Sequence, residues 1–146
     1  RTNFIVDKDL IAKAGCAEPS AIEAERSTLA EVVDCAQKIN DEESGTWGMI
    51  FDKSVGYQRQ ALPESLGGGS GVCEGGLSVK GCLTNDGWMK AAQWYYDIPN
   101  TWNVSPNGAN PDQPHDMDGA GTRGSLVGGA WTVGRWKDSD LNLYLA

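Results

Sequence analysis

Between residues 20 and 39 the apolar side chains Ile22, Leu29, Val32, Val33, Ala36 and Ile39 recur three and four positions apart, with charged residues between them. That period places them on one face of an α-helix. Two capping signatures compete for its start, Ser20 with Glu23 and Thr28 with Glu31. In each, a hydroxyl stands three residues ahead of a carboxylate, so the two side chains satisfy free backbone donors reciprocally. The helix ends between Asn40 and Gly45. A second helix opens at Thr84, Asn85 and Asp86, carries Trp88, Ala91, Ala92, Tyr95 and Tyr96 as its buried stripe, and closes at Pro99.

Elsewhere the pattern is that of strands. Residues 46–51 and 57–62 read as two strands joined by a short link, the second stopped by Pro63. Further strands are predicted over 72–80, 125–133 and 141–145, and a short one at Phe4, Ile5 and Val6 precedes a helical turn at Leu10, Ile11 and Ala14. Between residues 100 and 124 the chain has three prolines and no period, which predicts a long surface loop. Strands and helices are mixed rather than alternating. The expected fold is therefore α+β: a small single-domain sandwich of a mostly antiparallel sheet packed against two helices, with two disulfides.

Composition narrows the class. The 146 residues suffice for one core. Nineteen glycines imply many turns, and a formal charge of −8 repels phosphate backbones and anionic lipids, so no nucleic acid and no membrane span are expected as partners or features. No apolar run approaches the roughly 20 residues that a bilayer requires. Four cysteines, Cys16, Cys35, Cys73 and Cys82, stand at irregular spacing with no Cys-x-x-Cys pair, and the lone His115 is remote from all of them. That arrangement favours two disulfides over a zinc site and leaves three pairings open. Arg1 in first position is read as the start of a mature secreted chain whose leader has been removed, and Asn103-Val104-Ser105 is a glycosylation sequon consistent with that route, although Pro106 directly after it lowers the expected occupancy.

The candidate chemistry is sparse. His115, Asp116 and Asp118 form the densest polar constellation, yet Pro114 breaks the calcium-loop spacing and no activated nucleophile is marked beside the histidine. Glu74 and Asp86 add further carboxylates, but a glycosidase needs two of them about 5–10 Å apart across a sugar, a geometry that sequence does not rank. The Gly67–Gly71 run lacks the Lys-Ser or Lys-Thr of a phosphate loop. No cofactor or metal is expected. Six tryptophans raise the option of stacking on sugar rings: Trp102 and Trp136 lie outside the helical stripe and are the candidates for an exposed platform, whereas Trp47, Trp88 and Trp131 are assigned to the core. Arg59 is the candidate partner-facing charge on the 57–62 strand.

A series of short motifs runs in order from Cys16 to Ile98: Val33-Asp34-Cys35, Lys38-Ile39-Asn40, Gly45-Thr46-Trp47, Tyr57 to Leu62, Gly71 to Val79, and Asn85-Asp86-Gly87-Trp88. Together they resemble the fungal secreted family of necrosis-inducing factors, the homologues of the leaf-mould extracellular protein two effector. The resemblance implies a secreted, non-enzymatic effector, linked to virulence, host cell death and killer-toxin-like relatives; the expected partner is a host protein or a cell-surface glycan, and the chain is expected to be a monomer. The alternatives are a carbohydrate-binding, lectin-like module and a small secreted hydrolase using loop carboxylates.

Overall fold

The computed structural model describes residues 2–20, 22–50, 56–108, 122–129, 134, 136 and 140–145. In chain order these form strand β1 (Thr2–Asp7), helices α1 (Lys8–Lys13), α2 (Leu29–Ile39), α3 (Gly56–Ser65) and α4 (Asp86–Asn100), and strands β2 (Ser125–Gly129) and β3 (Leu143–Leu145). β1 is the middle strand of an antiparallel sheet ordered β2-β1-β3, with Phe4 opposite Val127 and Val6 opposite both Ser125 and Tyr144. The α+β class and the antiparallel sheet are as expected, with four helices among the described residues instead of two.

β1 is central because it can be buried on both faces. Val6 packs with Ile11 of α1 and Ile39 of α2, while its neighbour Ile5 points the other way, onto Ile50 and Trp136. Asp7 ends the strand and caps α1, its carboxylate accepting the Asp9 and Leu10 amides at 3.0 and 3.1 Å. Helix α2 begins at the second of the two capping signatures. The Glu31 amide donates to the Thr28 hydroxyl at 3.3 Å, and the Thr28 amide donates back to the Glu31 carboxylate at 2.7 Å. The earlier start gives no α-helix because the Ser20 side chain accepts the Ile22 amide and donates to Glu25, which holds a single 3-10 turn at Glu23–Glu25 and leaves Ile22 exposed.

Three expected strands take other forms. Residues 57–62 lie in α3, where Gln, Arg, Ala and Leu are all good helix formers. Pro63 sits inside this helix; it has no N–H for the Arg59 carbonyl four residues earlier, and the Tyr95 hydroxyl of α4 donates to that carbonyl instead, at 3.0 Å. Residues 72–80 form a 3-10 turn at Glu74–Gly76, with a single bridge from Cys73 to Ser78, because Glu74, Gly75 and Gly76 all take positive φ, which breaks an extended chain. Residues 46–50 are extended without forming a hairpin with 57–62: Trp47 bridges Arg123, and the Met49 and Ile50 amides donate to the carbonyls of Val104 and Ser125. β2 ends at Gly129, and 130–133 lie outside the described residues.

The main core gathers Ala36, Met49, Ile98 and Val104, flanked by Phe4, Val32, Trp94, Tyr95, Trp102 and Val127. Val104 and Ser105 are therefore fully buried, so the start of the 100–124 segment threads the interior, where a surface loop was expected; 109–121 lie outside the described residues. The disulfides pair sequence neighbours. Cys16–Cys35 ties the segment after α1 to α2, and Cys73–Cys82 closes the local loop before α4.

Candidate functional site

The sequence-predicted binding residues do not converge. His115, Asp116 and Asp118 lie outside the described residues. Trp136 is only 8% exposed, packed with Ile5 and Ile50, and its ring lies under the Arg123 guanidinium at 5.5 Å. Burial pushes the Arg123 pKa down to about 9, and the Asp7 carboxylate pulls it back up. Trp102 is half-buried, edge-on to Trp94 at 5.8 Å against the main core. Trp136 is therefore covered and is not the exposed platform expected of it, whereas Trp102 keeps part of its surface exposed. Asn103 is exposed in the left-handed region at φ 50°, and its amide donates to Glu42, while Ser105 of the same sequon is buried.

Arg59 does join other groups. It is exposed on α3 and not on a strand face, and with Pro63 it forms one wall of a groove of about 450 Å³. The other wall is α4, contributing Trp88, Tyr95, Tyr96 and Asn100. Such a volume is within the usual span of small-molecule sites. The aromatic groups differ in what they can do. Trp88 is half-buried and spends its indole N–H on the Gly69 carbonyl at 3.2 Å. Tyr95 spends its hydroxyl on Arg59, and burial pushes its pKa up to about 12, with the Arg59 cation opposing. Tyr96 is 62% exposed, so its ring is the most accessible of the three. Asn100 donates to the Tyr96 carbonyl at 2.7 Å, which holds the last turn of α4.

These aromatics were expected as core, and the helix explains the difference. The buried positions of α4 are Gly87, Ala91, Ile98 and Pro99, with Trp94 and Tyr95 half-buried beside them, which turns Tyr96 and Ala92 outward. Asn85 caps the helix by accepting the Trp88 amide at 3.1 Å and donating to the Gly68 carbonyl, which fixes the tryptophan at the groove's end. A larger cleft of about 520 Å³ follows the Cys16–Cys35 disulfide. Its rim mixes Glu25, Glu31 and Asp34 with Arg26 and Lys38, and Lys38 pairs with Asp34 at 2.6 Å, so its charges answer one another. Among the described residues no cluster of three metal-ligating side chains forms, and no helix is long and apolar enough to cross a membrane.

No protein-family model and no curated protein matches the sequence. Solved structures do match in shape. An ABC transporter solute-binding protein from Thermotoga lettingae, bound with α-D-tagatose, superposes with a TM-score of 0.82 over 99% of this chain at 20% identity. An ABC substrate-binding protein from Listeria monocytogenes in complex with cycloalternan gives 0.81 at 20% identity, again over 99% of the chain. The maltotriose-binding protein of Thermus thermophilus, bound with maltotriose, gives 0.76 at 18% over the same share. The chain therefore has a fold found within substrate-binding proteins. It spans little more than a third of their length, 38%, 36% and 36% respectively. All three are ligand-binding proteins, each solved with a sugar.

Proposed function

We propose that this protein binds a carbohydrate and works as a substrate-binding protein, not as an enzyme. The observation that carries this reading is the superposition of nearly the whole chain on proteins solved with tagatose, cycloalternan and maltotriose. The groove between α3 and α4 adds to it, since an exposed tyrosine beside fixed polar groups is a chemistry suited to sugars. The two disulfides support a location outside the reducing cytosol.

The test is a thermal shift of the purified protein with maltotriose, tagatose and cycloalternan. A ligand at a hundred times its Kd stabilises the folded state by about 2.7 kcal/mol, which raises the melting temperature by roughly 5–10 °C at this size. No shift with any of the three, nor across a wider glycan panel, overturns the reading. The disulfides also favour a second reading, the secreted effector, which rests on the order of the motifs. It predicts a host-tissue response to infiltrated protein that is lost after reduction and alkylation.

A further inference from the structure

Among the described residues the α3–α4 groove has a charge asymmetry. The chain carries 20 acidic and 12 basic residues, yet among the described residues that line this groove there is no acidic residue and one basic residue, Arg59. The described ion pairs are Lys8 with Glu18 and Lys38 with Asp34; Arg59 makes none among the described residues, its backbone carbonyl accepts the Tyr95 hydroxyl, and its cation lies near enough to that hydroxyl to act on it. An unpaired guanidinium is a planar fork of donors whose geometry matches a carboxylate. Beside it, the exposed ring of Tyr96 presents a negative π face to which the apolar C–H face of a sugar ring is complementary.

We propose that this groove takes an acidic saccharide, with a uronic-acid ring on the face of Tyr96 and its carboxylate on the Arg59 guanidinium. This rests on the carbohydrate reading and narrows it to a substrate class. Three features carry the assignment: the aromatic wall, a cation with no ion-pair partner among the described residues, and a lining of about 450 Å³ to which no described carboxylate contributes. A neutral sugar would leave the charge unused. A simple dicarboxylate would leave the ring face unused.

The experiment is calorimetric titration of the purified protein with trigalacturonate, with its methyl ester, which has the same rings and no charge, and with glutarate. The variants are Arg59→Gln and Tyr96→Ala, both at exposed positions where folding is retained and checked by circular dichroism. The wild type is expected to prefer the free acid to the ester by roughly ten-fold or more, the gain typical of a charge-assisted pair. Arg59→Gln is expected to abolish the preference, and Tyr96→Ala to weaken acid and ester alike. Equal binding of acid and ester, unchanged in Arg59→Gln, overturns the assignment while maltotriose binding keeps the carbohydrate reading standing. Glutarate binding as tightly as the uronide also overturns it, because the groove would then be an anion site. If no saccharide of either kind binds, both readings fall together.

Discussion

Replacing Gly48 with alanine places a methyl carbon 1.9 Å from the Ala36 carbonyl oxygen, 2.4 Å from its carbonyl carbon and 2.6 Å from its Cα. All three are backbone atoms of α2, so no side-chain rotation relieves the overlap. Either α2 or the 46–50 segment must move, and neither is free to. α2 holds Val33, Ala36 and Ile39 in the core, while the Ser125 hydroxyl donates to the Gly48 carbonyl at 3.3 Å and the next two amides are bonded to Val104 and Ser125. Overpacking of a core costs about 1–3 kcal/mol when side chains can adjust, and a backbone collision belongs at the upper end. At this size about 3 kcal/mol corresponds to a loss of roughly 6–12 °C in melting temperature. The assay is thermal unfolding by circular dichroism, with Gly56→Ala as control: Gly56 opens α3, has nothing within 4 Å of a built Cβ and is expected to be neutral or slightly stabilising. A Gly48→Ala variant that melts with the wild type would refute the close approach of this segment to α2, and with it the packing of the main core.

Three further outcomes follow from the same contacts. Thr28→Ala removes the side-chain cap of α2 and is expected to lower the melting temperature; the Thr28 amide and hydroxyl hold the Glu31 carboxyl below its ordinary 4.5, and the variant keeps the amide but loses the hydroxyl, so the wild-type advantage is largest above this value and narrows, without vanishing, as pH falls through the lowered one. Tyr95→Phe removes the hydroxyl that completes α3 at Pro63 and is expected to cost about 1 kcal/mol in chemical denaturation. Since burial raises the Tyr95 pKa from 10 to about 12, the folded state holds this proton longer than the unfolded one; the resulting stabilisation is present below pH 10 and lost as pH rises to 12, and the wild-type minus Tyr95→Phe ultraviolet difference spectrum titrates near the upper value. Replacing Cys16 and Cys35 by serine is expected to destabilise by about 3 kcal/mol, from a loop of 19 residues joined to a core helix, whereas the same change at Cys73 and Cys82 costs less because those residues close a local loop of nine, and urea midpoints distinguish the two.

The elements legible in the sequence were those whose signal is local. β1 carries three apolar residues in a row, α2 announces its capping box at Thr28, and α4 its cap at Asn85. α3 was not legible as a helix because Tyr57 to Leu62 fits an alternating pattern as well as a helical one, and because Pro63 reads as a stop unless a partner for the Arg59 carbonyl is known. That partner, Tyr95, lies 36 residues away. The 72–80 segment misled through Val72, Leu77 and Val79, which resemble a strand in spacing but are all exposed, Leu77 to 89%. Of the site, Arg59 was visible as a candidate partner-facing charge, though placed on a strand. Its aromatic wall was not, since which face of α4 turns inward depends on α3 packing against it. The omission of Ile98 from the expected stripe was the usable clue, because a face running through Ala91 and Ile98 turns Tyr96 outward.

The central claim, that this fold binds carbohydrate, is tested most directly by calorimetric titration of the purified protein with a panel of neutral and acidic oligosaccharides. The account predicts saturable binding of at least one saccharide, with heat that disappears when the protein is unfolded beforehand. Absence of binding across the panel, from protein shown by circular dichroism to be folded, would contradict it.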